Sequence, residues 1–60
     1  MFTFKHSHKL LKKFLYTAKI MNQVVVVTWF EKGKMHKVNY TLLETENAIL
    51  SGDWIMQKGL

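Results

Sequence analysis

The sequence has no cysteine, no proline and no arginine among its 60 residues. Without cysteine the chain can form neither a disulfide framework nor a cysteine-ligated metal site. Long apolar runs are also missing, since the longest, the four valines at 24–27, is far shorter than the roughly 20 residues of a transmembrane helix. A content of 48% hydrophobic and 22% charged residues nevertheless matches an ordinary globular domain rather than a disordered segment.

The basic residues are nine lysines. Bidentate hydrogen bonds to guanine edges and to phosphate are mostly made by arginine, so its absence argues against base-specific recognition. The formal net charge of +5 comes entirely from the first 20 residues, which hold five lysines and no acid. These five are Lys5, Lys9, Lys12, Lys13 and Lys19. Any attraction to an anionic partner is therefore expected from the N-terminal third of the chain.

The length of the chain predicts one small domain spanning residues 1–60. A domain of this size buries only about 60% of its unfolded surface, and such proteins usually gain stability from disulfides, a metal or a partner. With disulfides excluded, we expect a partner, either another protein or a second copy of the chain. Lysines interrupt the first 20 residues throughout, so we expect no secretory signal peptide and a cytoplasmic protein.

The segment after Ser7 predicts an amphipathic helix over about residues 8–21. Ser7 is a suitable N-cap, and Asn22 stands near the expected end of the helix. Apolar residues recur at the intervals typical of one helix face. They are Leu10, Leu11, Phe14, Leu15, Ala18 and Met21. Tyr16 lies off this stripe and is expected to stay accessible, whereas Phe14 is expected in the core.

A β-hairpin is expected next, with strands over about residues 23–30 and 35–43. Four consecutive valines followed by Thr28 and Trp29 favour the first strand. Both faces of that strand are apolar, which predicts a central position or cover on two sides. Gly33 supplies the positive φ that the turn at 31–34 needs.

Residues 45–56 allow two interpretations. One has further strands at about 47–51 and 54–57, and the other has a short helix that starts after Thr45 and ends at Gly52. We favour the strands, which gives an α+β fold with an N-terminal helix packed on an antiparallel meander of three to four strands. A small SH3-like or Sm-like barrel is the alternative. Residues 57–60 are expected to form a frayed tail.

Catalytic and metal sites find little support in the sequence. His6, His8 and His36 could hold zinc, but the lysines beside the first two would repel a cation. His36 with Glu44 is the pairing best suited to acid–base cleavage of RNA, yet Glu44 is expected in a solvated turn. We therefore predict that the protein is not an enzyme and binds no cofactor or metal.

Binding to a protein partner is the function that matches most features. Two tryptophans, four phenylalanines and four methionines exceed what a 60-residue monomer easily encloses, and such residues are enriched at interfaces. We expect the partner to contact Trp29, Tyr40 and Trp54, and the lysine-rich helix to steer the chain toward an acidic surface. On scale alone this suits a small regulator or inhibitor, such as a phage-encoded modulator or an antitoxin.

Nucleic-acid binding is the alternative function. The five N-terminal lysines would contact phosphates with little sequence specificity, and Tyr16 would be available for stacking. Binding of this kind should weaken steeply as salt rises, whereas an aromatic protein interface should resist salt. The apolar stripe of the predicted helix is needed to cover the sheet, so no membrane contact is expected. A small-molecule substrate is not expected either.

Overall fold

A five-stranded antiparallel sheet carries most of the chain. The computed structural model describes residues 1–57. The elements are β1 (Phe2–His6), β2 (Tyr16–Met21), β3 (Val24–Glu31), β4 (Lys34–Thr41), α1 (Leu42–Leu50) and β5 (Trp54–Met56). In space the strands follow the order β4-β3-β2-β1-β5, and all neighbouring pairs are antiparallel. The predicted tail at 57–60 lies outside the described residues except for Gln57.

Two tight turns set the register of the three longest strands. Asn22 and Gln23 join β2 to β3 with φ values of 49° and 67°, and Lys32 and Gly33 join β3 to β4 with values of 54° and 76°. Two successive positive φ angles define the hairpin turn whose twist matches that of paired strands. The predicted hairpin between residues 23 and 43 is therefore confirmed, and β3 is central, as its valines indicated.

The predicted helix over 8–21 is wrong. Residues 16–21 form β2, which pairs with β3 through Ala18 opposite Val27, and residues 7–15 form a loop. Tyr16 and Ala18 point into the core, while the intervening Thr17 is only half-buried. A helix would have spread these side chains around its axis. Pairing with the valines of β3 instead buries alternate residues of β2, and the gain from this burial outweighs a local helix preference that was only modest.

The helix of this fold lies near the C-terminal end of the described chain, where strands over 47–51 were favoured. That prediction is also wrong. Thr41 caps α1: its Oγ1 accepts a hydrogen bond from the Glu44 N–H at 3.0 Å, and the Glu44 carboxylate accepts one from the Thr41 N–H at 2.8 Å. Gly52, with φ of 86°, takes the chain out of the helix toward β5. The reciprocal cap explains why a helix forms at Leu42–Leu50.

The N-terminal helix that the meander and the barrel alternative both included is wrong, because the helix of this fold follows β4. The sheet itself is strongly curved. The ring centroids of Tyr40 on β4 and Trp54 on β5 lie 5.1 Å apart, although these strands are the two edges of the sheet and do not pair. Helix α1 packs on the concave face against β3, β4 and β5. The buried hydrophobic residues all lie on this face. They are Phe4, Tyr16, Ala18, Val25, Val27 and Trp54.

The convex face of the sheet has no covering element among the described residues. Its side chains alternate with those of the core and are mostly threonine, lysine and valine. They are Thr3, Lys5, Thr17, Lys19, Met21, Val24, Val26, Thr28, Phe30, Met35, Lys37, Asn39, Thr41 and Ile55. An antiparallel sheet with one packed face and one solvated face is a common arrangement.

Candidate functional site

The loop between β1 and β2, residues 7–15, carries three of the lysines and is held in a defined shape. The Lys12 N–H donates to the His8 carbonyl at 2.9 Å, and the Phe14 N–H donates to the Leu11 carbonyl at 3.2 Å. At its base, the Ser7 N–H donates to the Asp53 carbonyl at 2.8 Å, which ties the loop to the start of β5. We call this segment the lysine loop.

The lysine loop and the end of β1 surround a shallow depression that is lined by basic and polar groups. Its lining residues are Lys5, His6, Ser7, Lys9, Lys12, Lys13, Ile55 and Gln57. None of them is acidic, so nothing in the lining neutralises the four ammonium groups. We call this feature the basic depression. Lys5 and Ile55 place it on the convex side of β1 and β5.

On the concave side of the same end of the sheet, aromatic side chains form a pocket of about 150 Å³. All five strands contribute to it, and the lysine loop adds one residue. The lining residues are Phe4, His6, Leu11, Tyr16, Val27, Trp29, Tyr40 and Trp54. Phe4 and Val27 are fully buried, whereas Trp29 and Tyr40 are half-buried. We call this feature the aromatic pocket.

The rings of the aromatic pocket pack closely against each other. Phe4 stacks on Trp54 with centroids 4.1 Å apart and planes inclined by 11°. Tyr16 lies 5.2 Å from Phe4 on one side and 5.1 Å from Trp29 on the other. The two Tyr16 distances lie in the range favoured by aromatic pairs, which stabilise each other by about 0.5–1.5 kcal/mol beyond their buried area. The pocket wall is therefore a closely packed aromatic surface.

A few polar groups border this wall. The Nδ1 atom of His6 is buried and has no hydrogen-bond partner among residues 1–57. The Trp29 Nε1–H donates to the Glu31 carboxylate at 3.4 Å, which brings one negative charge to the rim. Burial raises the pKa of the Tyr16 phenol above its ordinary value of 10.0, with further contributions from Glu31 and Tyr40. Tyr16 is therefore a neutral hydrogen-bonding group at physiological pH.

The three aromatic residues expected to bind a partner all lie on the concave face. Trp54 is only 5% exposed and belongs to the core. Trp29 and Tyr40 are half-buried and line the aromatic pocket. The structure thus brings these residues together, but as the walls of a pocket and not as a flat exterior surface. Tyr16, expected to be accessible, is buried beside them.

Four of the five lysines expected to bind an anion line the basic depression. The fifth, Lys19, lies on the convex face of β2, opposite Val26 of β3, and does not line it. The local geometry differs from the prediction, since a loop and not a helix presents Lys9, Lys12 and Lys13. The clustering of charge survives because the loop is short and turns back on itself.

The histidines and Glu44, which were considered for metal binding and catalysis, are not gathered into one site. Among residues 1–57, no group of three or more histidine, cysteine or acidic side chains is placed to hold a metal ion. His36 stacks on Trp29 with centroids 5.4 Å apart, and Glu44 caps α1. His36 and Glu44 thus each contact a different neighbour.

Sequence reasoning missed the aromatic pocket. One signal for its wall was available: Phe2, Phe4 and His6 alternate with Thr3 and Lys5, which is the pattern of a strand with one aromatic face. A second signal, for the position of α1, was the capping-box pattern of Thr41 followed by Glu44.

Comparisons with protein-family models, with curated proteins and with solved structures find no match for this chain. Helix α1 has nine residues, and no helix within residues 1–57 combines the length and apolar character needed to span a bilayer. The inferences about function therefore depend on the geometry of the basic depression and the aromatic pocket.

Proposed function

We propose that this chain is a non-enzymatic nucleic-acid-binding protein that contacts the phosphate backbone through the basic depression. The observation that carries the proposal is the convergence of Lys5, Lys9, Lys12 and Lys13 on one surface whose lining contains no acid. Lysines scattered over a solvated surface would serve solubility alone. Four placed around one depression present a concentrated positive potential to a polyanion.

The depression suits phosphate contact without base-specific recognition. Lysine attracts phosphate as a point charge, whereas the bidentate contacts that distinguish bases are mostly made by arginine, which this chain lacks. Four neutralised phosphates predict a slope of about −3 in a plot of log affinity against log salt for a single strand. Such binding is modest in strength and suits a cytoplasmic protein that acts on many sequences.

Salt-dependent binding of a labelled oligonucleotide tests this proposal. We would measure fluorescence anisotropy of a single-stranded DNA 12-mer at several salt concentrations, with wild type and with the triple variant K9E/K12E/K13E. The matched control is K32E/K34E/K37E, which changes net charge equally but alters none of the residues that line the depression. We expect the loop variant to lose binding and the control to retain most of it.

Equal losses in the two triple variants would contradict the proposal, because they would show that net charge alone attracts the oligonucleotide. Circular dichroism of each variant must first show an intact sheet, so that loss of folding is not mistaken for loss of binding. All six lysines are exposed and belong to a loop, a turn or an edge strand, so the fold should tolerate their replacement.

Binding of a protein partner is the second candidate, and a separate observation favours it. Phe30 and Met35 are paired across β3 and β4 on the convex side and are 64% and 61% exposed. Two large neighbouring apolar side chains in water are a frequent feature of protein interaction sites. Pull-down from the native host at high salt and after nuclease treatment, with wild type and F30S/M35S as baits, separates the candidates. A stoichiometric protein recovered only by wild type would favour this second function.

A further inference from the structure

The basic depression and the aromatic pocket meet at His6, which lines both. The lysine loop also serves both, since it presents Lys9, Lys12 and Lys13 to the depression and Leu11 to the pocket. A ligand that follows the lysines around this end of β1 therefore reaches His6, which also lines the aromatic pocket. The adjoining basic and aromatic features favour a ligand that carries negative charge beside an apolar or planar group.

The dimensions of the aromatic pocket suit one ring system. Its volume of about 150 Å³ matches an engineered cavity known to take up benzene, which is a single aromatic ring. Its walls are aromatic faces, and stacking on such faces holds planar groups more strongly than flexible aliphatic ones. The lysine loop contributes one residue to the lining, Leu11, whose side chain is 37% exposed.

The polar groups of the pocket distinguish a heterocycle from a plain hydrocarbon ring. His6 and Tyr16 both line the pocket, and the neutral phenol of Tyr16 can donate or accept a hydrogen bond. A ring with donors and acceptors along its edge can pair with such groups, whereas a hydrocarbon ring would leave them without a partner. A nucleobase has both the flat apolar faces and the polar edge.

We propose that the aromatic pocket binds one unstacked nucleobase of a single strand whose phosphates lie on the basic depression. This inference rests on the proposed function and names its substrate class, single-stranded nucleic acid. In a duplex every base is stacked and paired, so its faces are not available to the pocket. The protein should therefore prefer single strands to duplexes of equal charge density.

Three probes separate the base from the phosphates. They are an oligothymidine 12-mer, a 12-mer of the same backbone that lacks bases, and a 12-base-pair duplex. Stacking of one base on aromatic side chains predicts about tenfold tighter binding of oligothymidine than of the abasic strand. Trp29 and Trp54, the two tryptophans of the sequence, both line the pocket, so quenching of tryptophan fluorescence reports its occupation directly.

A filled pocket should abolish this preference. Leu11→Phe adds bulk at the pocket from a partly exposed position, and the matched control is Leu10→Phe at the neighbouring residue, which is 74% exposed and does not line the pocket. We expect L11F to bind oligothymidine no better than the abasic strand while its affinity for the abasic strand stays unchanged. The control should behave as wild type. Trp29→Leu, which removes one wall, should reduce the preference in the same way.

Each failure has its own signature. Equal affinity of wild type for oligothymidine and the abasic strand, without fluorescence quenching, would overturn the pocket inference and leave the phosphate-binding function standing. That result would fit a pocket that receives an aromatic side chain of a protein partner. Failure to bind any of the three probes would overturn both proposals. A uniform loss in L11F and L10F would assign the effect to the shape of the loop and refute the role of the pocket.

Discussion

The two faces of the sheet are built from the same strands, yet they behave differently. Val24 and Val25 are chemically identical neighbours, but Val24 is 37% exposed on the convex face and Val25 is wholly buried on the concave face. Likewise Phe4 is 1% exposed and Phe30 is 64% exposed. The members of each pair differ because other parts of the molecule cover only one of the two faces. Helix α1 and the curvature of the sheet enclose one face, and residues 1–57 provide nothing that encloses the other.

The packed core and the aromatic pocket of the molecule share one face of the sheet. The concave face holds the packed aromatic core, and it also forms the pocket beside that core. The convex face holds lysines and threonines together with exposed apolar side chains such as Phe30 and Met35. A chain with so few buried residues has little stability to spare, so replacements on the two faces should have very different consequences.

The largest contrast is expected between two phenylalanines. Phe4→Ala removes a ring stacked on Trp54 and Tyr16, and such losses cost about 3–5 kcal/mol of unfolding free energy. A single core of this size rarely supplies more than about 3–5 kcal/mol in total, so F4A should be largely unfolded. Phe30→Ala, the matched replacement on the convex face, should cost less than about 1 kcal/mol.

Urea denaturation followed by circular dichroism measures both phenylalanine variants. Comparable losses in F4A and F30A would contradict the contrast between the faces, because they would show that something covers the convex face in solution. A second copy of the chain is one such cover, and the dependence of the F30A effect on protein concentration would identify it.

A smaller contrast of the same kind is expected between two valines. Val25→Ala should lower the unfolding free energy by about 2 kcal/mol, since it removes two buried carbon groups and leaves a cavity. Val24→Ala loses only strand preference and partial burial, which amounts to less than about 1 kcal/mol. The midpoint of urea unfolding gives both values, and an inverted order would mean that the assigned faces are exchanged.

Removing the N-terminal cap of α1 tests how far the stability of the concave face depends on this helix. Thr41→Ala removes the hydroxyl that accepts the Glu44 N–H and should cost about 1 kcal/mol. Glu46→Ala, on the same helix but outside the cap, serves as control and should be nearly neutral. Thermal unfolding of the two variants compares them. If T41A were as stable as the control, the reciprocal cap would not determine where the helix begins.

The smallest effect is expected from pH. Because burial raises the pKa of Tyr16 above 10.0, the folded state holds its phenolic proton more tightly than the unfolded state. The stabilisation is fully present below pH 10.0 and is lost as the pH rises from there through the higher pKa of the folded state. Tyr16→Phe should weaken this alkaline decline in unfolding free energy. An unchanged decline in Y16F would contradict this role of Tyr16.

Prediction from the sequence succeeded where short-range chemistry decides the outcome. The turn at Gly33 and the valine-rich β3 were predicted because positive φ angles and β-branched residues act within a few positions of the chain. The clustering of positive charge at the N-terminal third was also visible from residue counts. The capping box at Thr41 and Glu44 is equally local, and applying it would have corrected the assignment of residues 42–50.

The failures occurred where distant segments compete with local preference. Leu10, Leu11, Phe14 and Leu15 have helical spacing, and nothing within 8–21 indicates that Ala18 will instead face Val27. That pairing is decided by the hairpin turn at Asn22 and Gln23 together with the burial gained on β3. The burial of Trp54 also depends on other strands, since its ring packs against those of Phe4 and Tyr40.

The central hairpin, the location of the excess charge and the exclusion of disulfides follow from residue types and from interactions between near neighbours. Which valines are buried, where the helix lies and how the aromatic pocket forms depend on contacts between elements of the folded chain. The pocket draws on all five strands and the lysine loop, so it exists only after β1 and β5 have joined the hairpin. Burial and site geometry are properties of segments brought together, and for that physical reason the order of residues along the chain did not reveal them.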